Sequence, residues 1–174
     1  MSEVHSREDW SRRIFDKLVA ADVTLFSYVP DFGNAAIVDM AEADNRTQAV
    51  LLSSEQEGVA FCAGADLVGG RGVLLMQSSG VGNVPNMLSL VQGGRFPALM
   101  IVTMRGDYGE QNPWQYPMGQ AVQPVLEAMG IFCIRVERDD ELDQATDSAI
   151  SAAFNAGQGV ALILSQKFLG AKAF

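Results

Sequence analysis

Only two cysteines, Cys62 and Cys133, and a single histidine, His5, occur in 174 residues. The cysteines fall within a helical and an extended pattern, where free cysteine behaves as a small buried hydrophobe, so neither a disulfide framework nor a metal site is expected. Basic residues are scarce: 12 Lys and Arg stand against 21 Asp and Glu, a formal net charge of −9. A surface of that sign repels polyanions at long range, which excludes nucleic acid as a partner. A small anionic substrate stays open, because a few local Arg or Lys side chains outweigh a salt-screened global field. No run approaches the roughly 18 apolar residues of a membrane span, so no membrane partner is expected. The start, Met-Ser-Glu-Val-His, lacks the basic and apolar segments of a secretory signal, so the expected location is the cytoplasm.

What is present is an ordinary globular balance, 48% hydrophobic and 19% charged. The length suits one α/β domain over residues 1–174. Trp10, Ile14, Phe15 and Leu18 line one face of an amphipathic helix over 6–21, with Ser6 as its cap. Strands are predicted at 23–29, 47–52, 73–76, 98–104, 131–136 and 160–164. Helices are predicted at 33–43, 55–68, 84–91, 119–129 and 139–156. This alternation, with near-continuous apolar strands, predicts a three-layer α/β/α fold around a six-stranded, mainly parallel sheet.

Two segments follow strands and so fall at the carboxyl end of the sheet, where open α/β folds bind ligands. The first is Ser53-Ser54-Glu55-Gln56-Glu57-Gly58, the second Gln77-Ser78-Ser79-Gly80-Val81-Gly82-Asn83. Glu55 and Glu57 begin a helix, where backbone amides favour a carboxylate by about 0.3 to 1 kcal/mol. Two solvated first-turn acids would fit that position equally well. The small residues that follow, Gly58, Ala60, Cys62, Ala63, Gly64 and Ala65, would let a second subunit or a flat cofactor approach closely. The glycine turn is no phosphate loop, since it lacks the Gly-Lys-Ser/Thr ending. No glycine-rich phosphate cradle follows the first strand either, which disfavours a flavodoxin-like nucleotide module. Tyr28-Val29-Pro30-Asp31-Phe32 reads as an ordinary turn or as a carboxylate at the mouth of a site. The polar loop 105–115 is longer than usual connections and carries Arg105 and Gln115.

The spacing of Glu55 and Gly64 in a small-residue helix resembles the pyrimidine-binding domain of thiamine-diphosphate enzymes. Val29-Pro30-Asp31 and Met76-Gln77-Ser78-Ser79-Gly80-Val81-Gly82-Asn83 resemble stretches of the phosphonopyruvate and sulfopyruvate decarboxylases. Arg105-Gly106-Asp107 with Pro113-Trp114-Gln115-Tyr116-Pro117-Met118-Gly119 is most similar to the sulfopyruvate decarboxylase alpha subunits. Trp114 and Tyr116 are bulkier than that family suggests, and Gln115-Tyr116 departs from the Gln-His pair of the phosphonopyruvate enzymes.

The resemblance implies a split thiamine-diphosphate-dependent 2-oxo acid decarboxylase, with sulfopyruvate going to sulfoacetaldehyde and CO₂. It implies that Glu55 activates the cofactor's pyrimidine, and that Gln77, Ser78, Ser79, Gly80, Gly82 and Asn83 border the ring. Asp31 would be catalytic and, with Arg105 and Gln115, would contact an anionic 2-oxo acid, a salt bridge within its own loop being the other reading of Arg105. The family's Gly-Asp-Gly stretch, which holds Mg²⁺ and the diphosphate, is not found here, so a beta-type diphosphate-binding subunit is the expected partner, with self-association into a hetero-oligomer. Any catalytic histidine would then come from that partner. Phosphonopyruvate, a bulkier 2-oxo acid, or a noncatalytic scaffold are the alternatives.

Overall fold

Side chains alternate across each strand, and here both sets are apolar, so both faces of the sheet must be covered. The computed structural model describes residues 7–170, and the Ser6 cap and His5 lie outside them. Strands β1 (Val23–Tyr28), β2 (Gln48–Leu51), β3 (Arg71–Gln77), β4 (Ala98–Thr103), β5 (Phe132–Val136) and β6 (Gly159–Leu164) form one sheet in the order β2-β1-β3-β4-β6-β5. Every neighbouring pair runs parallel.

Helices α1 (Arg7–Ala20), α2 (Ala35–Ala43) and α6 (Leu142–Phe154) cover one face, packing Ile14, Leu18, Ile37 and Leu142 against Phe26, Val73, Leu75 and Ile101. Helices α3 (Glu55–Leu67), α4 (Ser89–Gly94) and α5 (Tyr116–Ala128) cover the other, where Val59, Cys62, Val91, Val122 and Leu126 meet Leu74, Met76, Met100 and Ile163. A short α7 (Gln166–Leu169), which the sequence pattern did not suggest, follows β6. Among the described residues, no helix is long and apolar enough to cross a membrane.

Two segments differ from expectation. The predicted helix at 84–91 is replaced by a 3₁₀ turn over Ser78–Asn83, further turns, and the shorter α4. The segment closes by a mixture of bonds, Leu88 N–H to Val84 O at 3.0 Å as in an α-helix but Ser89 N–H to Asn86 O at 3.2 Å and Leu90 N–H to Met87 O at 3.0 Å as tighter i→i+3 turns, so the helical ladder is not continuous. Val84, Leu88 and Val91 are nonetheless buried in the core. Helix α5 starts at Tyr116 rather than at 119, with Pro117 in its first turn, where a missing N–H is harmless.

Candidate functional site

Strand order reverses between β1 and β3, because β1 continues to β2 on one side while β3 and β4 lie on the other. Such a switch point leaves a crevice at the carboxyl ends of the strands. Asp31 follows β1, the Ser78–Asn83 turn follows β3, and Glu55 opens α3 after β2.

Glu55 is 7% exposed. Its Oε2 accepts a hydrogen bond from Asn83 Nδ2 at 2.7 Å. A Cβ at residue 80 would overlap Glu55 Oε1, so the glycine lets the turn press against the carboxylate. Glu57 has a separate task, accepting from the Ser53 N–H at 2.9 Å and so satisfying a donor at the helix start. Gln77 Nε2 donates to Ser79 Oγ at 2.8 Å and reaches Gln115 Oε1 at 3.4 Å, which links the turn to the 105–115 loop. Gly82 lies beside Met118 at the start of α5.

Ser78 is fully buried. Its hydroxyl donates to Arg105 O at 3.1 Å and accepts from Arg105 N–H at 3.0 Å. The serine therefore clamps the turn onto the loop. Arg105 in turn holds Glu110 through Nε at 2.5 Å and Nη2 at 2.7 Å. This ion pair keeps the Glu110 carboxyl down at about 2. The arginine expected to neutralise an anionic substrate is thus engaged within its own loop.

The loop is built around Glu110, which also accepts from Gln111 N–H, Asn112 N–H and Gln166 Nε2. Gln166 Oε1 accepts from the N–H groups of Asp107 and Tyr108, and Arg135 pairs with Asp107. Tyr116 OH donates to Glu110 O at 2.5 Å, so this ring braces the loop. Trp114 is 87% exposed. At the base of the loop a Cβ on Gly106, whose φ is +79°, would overlap Gln115 O, and one on Gly119 would overlap Gly106. Glycine supplies both the left-handed backbone and the close approach.

Sequence reasoning missed Asn34 and Thr103. Asp31 Oδ1 accepts from Asn34 N–H at 3.0 Å and from Thr103 Oγ1 at 3.3 Å, and Asp31 Oδ2 accepts from Asn34 Nδ2 at 2.9 Å. The only signal was the position of Asn34 three residues after Asp31, a spacing common in turns. Among the described residues, no cluster of three His, Cys, Asp or Glu side chains could hold a metal ion.

No protein-family model matches the chain. It is 31% identical over 155 residues to the sulfopyruvate decarboxylase subunit alpha of Methanococcus maripaludis, an alignment covering 88% of this chain and 93% of that protein. The corresponding subunit of Methanocaldococcus jannaschii is 30% identical over 154 residues, covering 88% of this chain and 91% of that protein. The chain belongs to the sulfopyruvate decarboxylase alpha-subunit family. A phosphonopyruvate decarboxylase of Streptomyces viridochromogenes is 35% identical over 131 residues, 74% of this chain but 33% of that protein. Among solved structures, a 2-oxoglutarate:ferredoxin oxidoreductase from Magnetococcus marinus superposes with a TM-score of 0.67 at 13% identity, over 92% of this chain and 29% of that one. At that identity the match concerns the three-layer α/β/α fold alone. Both of these alpha-subunit relatives are named as one subunit of a decarboxylase, which implies a further subunit.

Proposed function

We propose that this chain is the pyrimidine-binding, alpha-type subunit of a thiamine-diphosphate-dependent 2-oxo acid decarboxylase, a single domain whose first candidate substrate is sulfopyruvate. The observation that carries the reading is Glu55, a nearly buried carboxylate at a helix start and a switch point, with one oxygen held by Asn83. Among the described residues, no donor reaches Glu55 Oε1. That donor set suits a pyrimidine: Oε1 would hydrogen-bond the ring, Gly80 and Gly82 would let it approach, and Gln77, Ser79 and Asn83 offer polar edges. When bound, the cofactor supplies the nucleophilic carbon and the electron sink for loss of CO₂.

This chain's own residues bind, orient and relay protons. Glu55 Oε1 is the atom that would meet the ring and exchange a proton with it. Asp31, fixed by three donors, and Gln115, tied to Gln77, are the groups for the 2-oxo acid and its product. Ser78 and Arg105 are assigned to the scaffold of the loop, since each is engaged with it. The anionic group of the substrate is then met mainly by a beta-type, diphosphate-binding partner, which also holds Mg²⁺. The open small-residue side of α3, where a Cβ on Gly64 would meet nothing within 4 Å, is the proposed face towards a subunit. The exposed Trp114 beside Gln115 supports a second reading of the substrate, a bulkier 2-oxo acid.

The test is CO₂ release by this chain co-expressed with its diphosphate-binding partner, from sulfopyruvate, phosphonopyruvate and bulkier 2-oxo acids, with thiamine diphosphate and Mg²⁺ present or withheld. Cofactor-dependent turnover of sulfopyruvate is expected. Turnover of a different acid would change the substrate, and silence from a folded complex would leave a scaffold.

A further inference from the structure

One polar side chain at the edge of this crevice belongs to none of the sequence motifs. Asn34 precedes α2 and is 1% exposed. Besides Asp31 Oδ2, its Nδ2 reaches Met76 O at 3.3 Å and Thr103 Oγ1 at 3.4 Å. A single carboxamide therefore ties the turn after β1 to the carboxyl ends of β3 and β4, which lie on the other side of the switch point. The approach is tight. A Cβ at Gly33 would fall 2.5 Å from Thr103 Oγ1, so a larger residue would push the Asp31 turn away from β4.

The hydrogen bonding of Asn34 is one-sided. Its Oδ1 is buried and accepts from no described residue, while its Nδ2 faces three acceptors. A buried amide with an idle acceptor adds less to stability than a fully satisfied one. What its donor side accomplishes is to fix one oxygen of Asp31, while its own N–H and the Thr103 hydroxyl fix the other.

We infer that Asn34, assisted by Thr103, is a positioning residue for the reaction, holding the Asp31 carboxylate in one orientation relative to the turn that binds the cofactor. The inference rests on the reading of Asp31 as a group that touches the substrate. Because a displacement of about 1 Å at a reacting group can cost about 100-fold, loosening this clamp acts on kcat. The affinity for thiamine diphosphate, set by Glu55 and its surroundings, does not change.

The experiment is a double-mutant cycle on the complex with the partner subunit and cofactor, comparing wild type, Asp31→Asn, Asn34→Ala and the double variant. Asn34→Ala is expected to lower kcat about tenfold with the cofactor affinity unchanged, and the double variant to be no slower than Asp31→Asn alone. Thr103→Val, which deletes one donor to Asp31 while keeping the shape, should lose severalfold, and Thr103→Ser should restore most of it. These Thr103 variants, alone and combined with Asp31→Asn, carry the test if Asn34→Ala does not fold. Multiplicative losses in the cycle, or full rates for Asn34→Ala and Thr103→Val, would overturn the positioning role while leaving the decarboxylase reading intact. A fully active Asp31→Asn would overturn both this role and the assignment of Asp31.

Discussion

Two glutamates at the carboxyl end of the sheet are almost equally buried, Glu55 at 7% exposed and Glu110 at 6%, yet their surroundings are opposite. Glu110 accepts from Arg105 Nε and Nη2, Gln166 Nε2, and the N–H groups of Gln111 and Asn112. The neighbouring guanidinium, assisted by those donors, holds its carboxyl down at about 2. Among the described residues, Glu55 has one side-chain donor, Asn83. Burial alone therefore does not separate these two carboxylates. Unfilled hydrogen-bonding capacity does: a carboxylate whose acceptor sites are taken braces its loop, whereas one with an oxygen to spare can receive an arriving group.

The strongest way to break this contrast is Glu55→Gln. The amide keeps the shape and a hydrogen bond to the turn but cannot exchange a proton, so cofactor-dependent CO₂ release should fall by about 10²- to 10⁴-fold. The thermal unfolding midpoint should stay near that of the wild type, and undiminished turnover would remove Glu55 from the mechanism. Gly80→Ala tests the same carboxylate from the other side. A methyl group there would overlap Oε1, Cδ and Cγ of Glu55, and the displaced carboxylate should cost about 10- to 100-fold in activity. Circular dichroism should show an unchanged fold. If the rate is unaffected, the close approach of the turn to Glu55 is not required.

The legibility of the two regions differs for the same reason. The sheet and its helices could be read because their signal is local: Val73 to Met76 are apolar on both sides of the chain, and Glu55 stands at a strand-to-helix junction. At 84–91 the sequence predicts a helix, and Val84, Leu88 and Val91 are buried as on a helix face, yet i→i+3 turns at Ser89 and Leu90 interrupt the ladder, a choice of hydrogen bond that apolar spacing does not encode. Arg105 could be read as a substrate contact or as half of a loop salt bridge, and nothing in the sequence says that the loop folds back to place Glu110 against it. Asn34 gave no signal beyond a turn, because two of its acceptors, Met76 O and Thr103 Oγ1, come from distant strands. Side-chain pairing set by the path of a loop or by strand order is a tertiary property.

Glu110→Gln probes the saturated carboxylate. It removes the negative charge held by Arg105, whose side chain is 17% exposed, and about 2 kcal/mol of stability should be lost at neutral pH. The folded carboxyl lies below its ordinary value, so its contribution is complete above about 4.5 and disappears as pH falls through about 2. Urea midpoints of wild type and variant should thus differ at pH 7 and converge towards pH 2. Parallel curves would show that Glu110 acts through packing rather than charge.

The smallest effect sharpens the comparison most. Asp44, like Glu110, is held down to about 2, chiefly by the side chain of Arg46 and then by that residue's backbone amide. Their contact, Arg46 Nη2 to Asp44 Oδ2 at 2.5 Å, is as short as the one inside the loop, but the arginine side chain is 67% exposed. Water and ions compete for both partners there, and a mobile surface side chain loses freedom on pairing. Asp44→Asn should therefore shift the urea midpoint far less than Glu110→Gln. Raising the salt to about 0.5 M should erase the shift for Asp44 and leave most of it for Glu110. Both contributions carry the same sign with pH, so acid alone cannot tell them apart, and salt is the variable that separates a shielded pair from a solvated one. If the Asp44 variant lost as much stability as the Glu110 variant, and kept that loss in salt, shielding by the loop would not be what distinguishes the scaffold carboxylate.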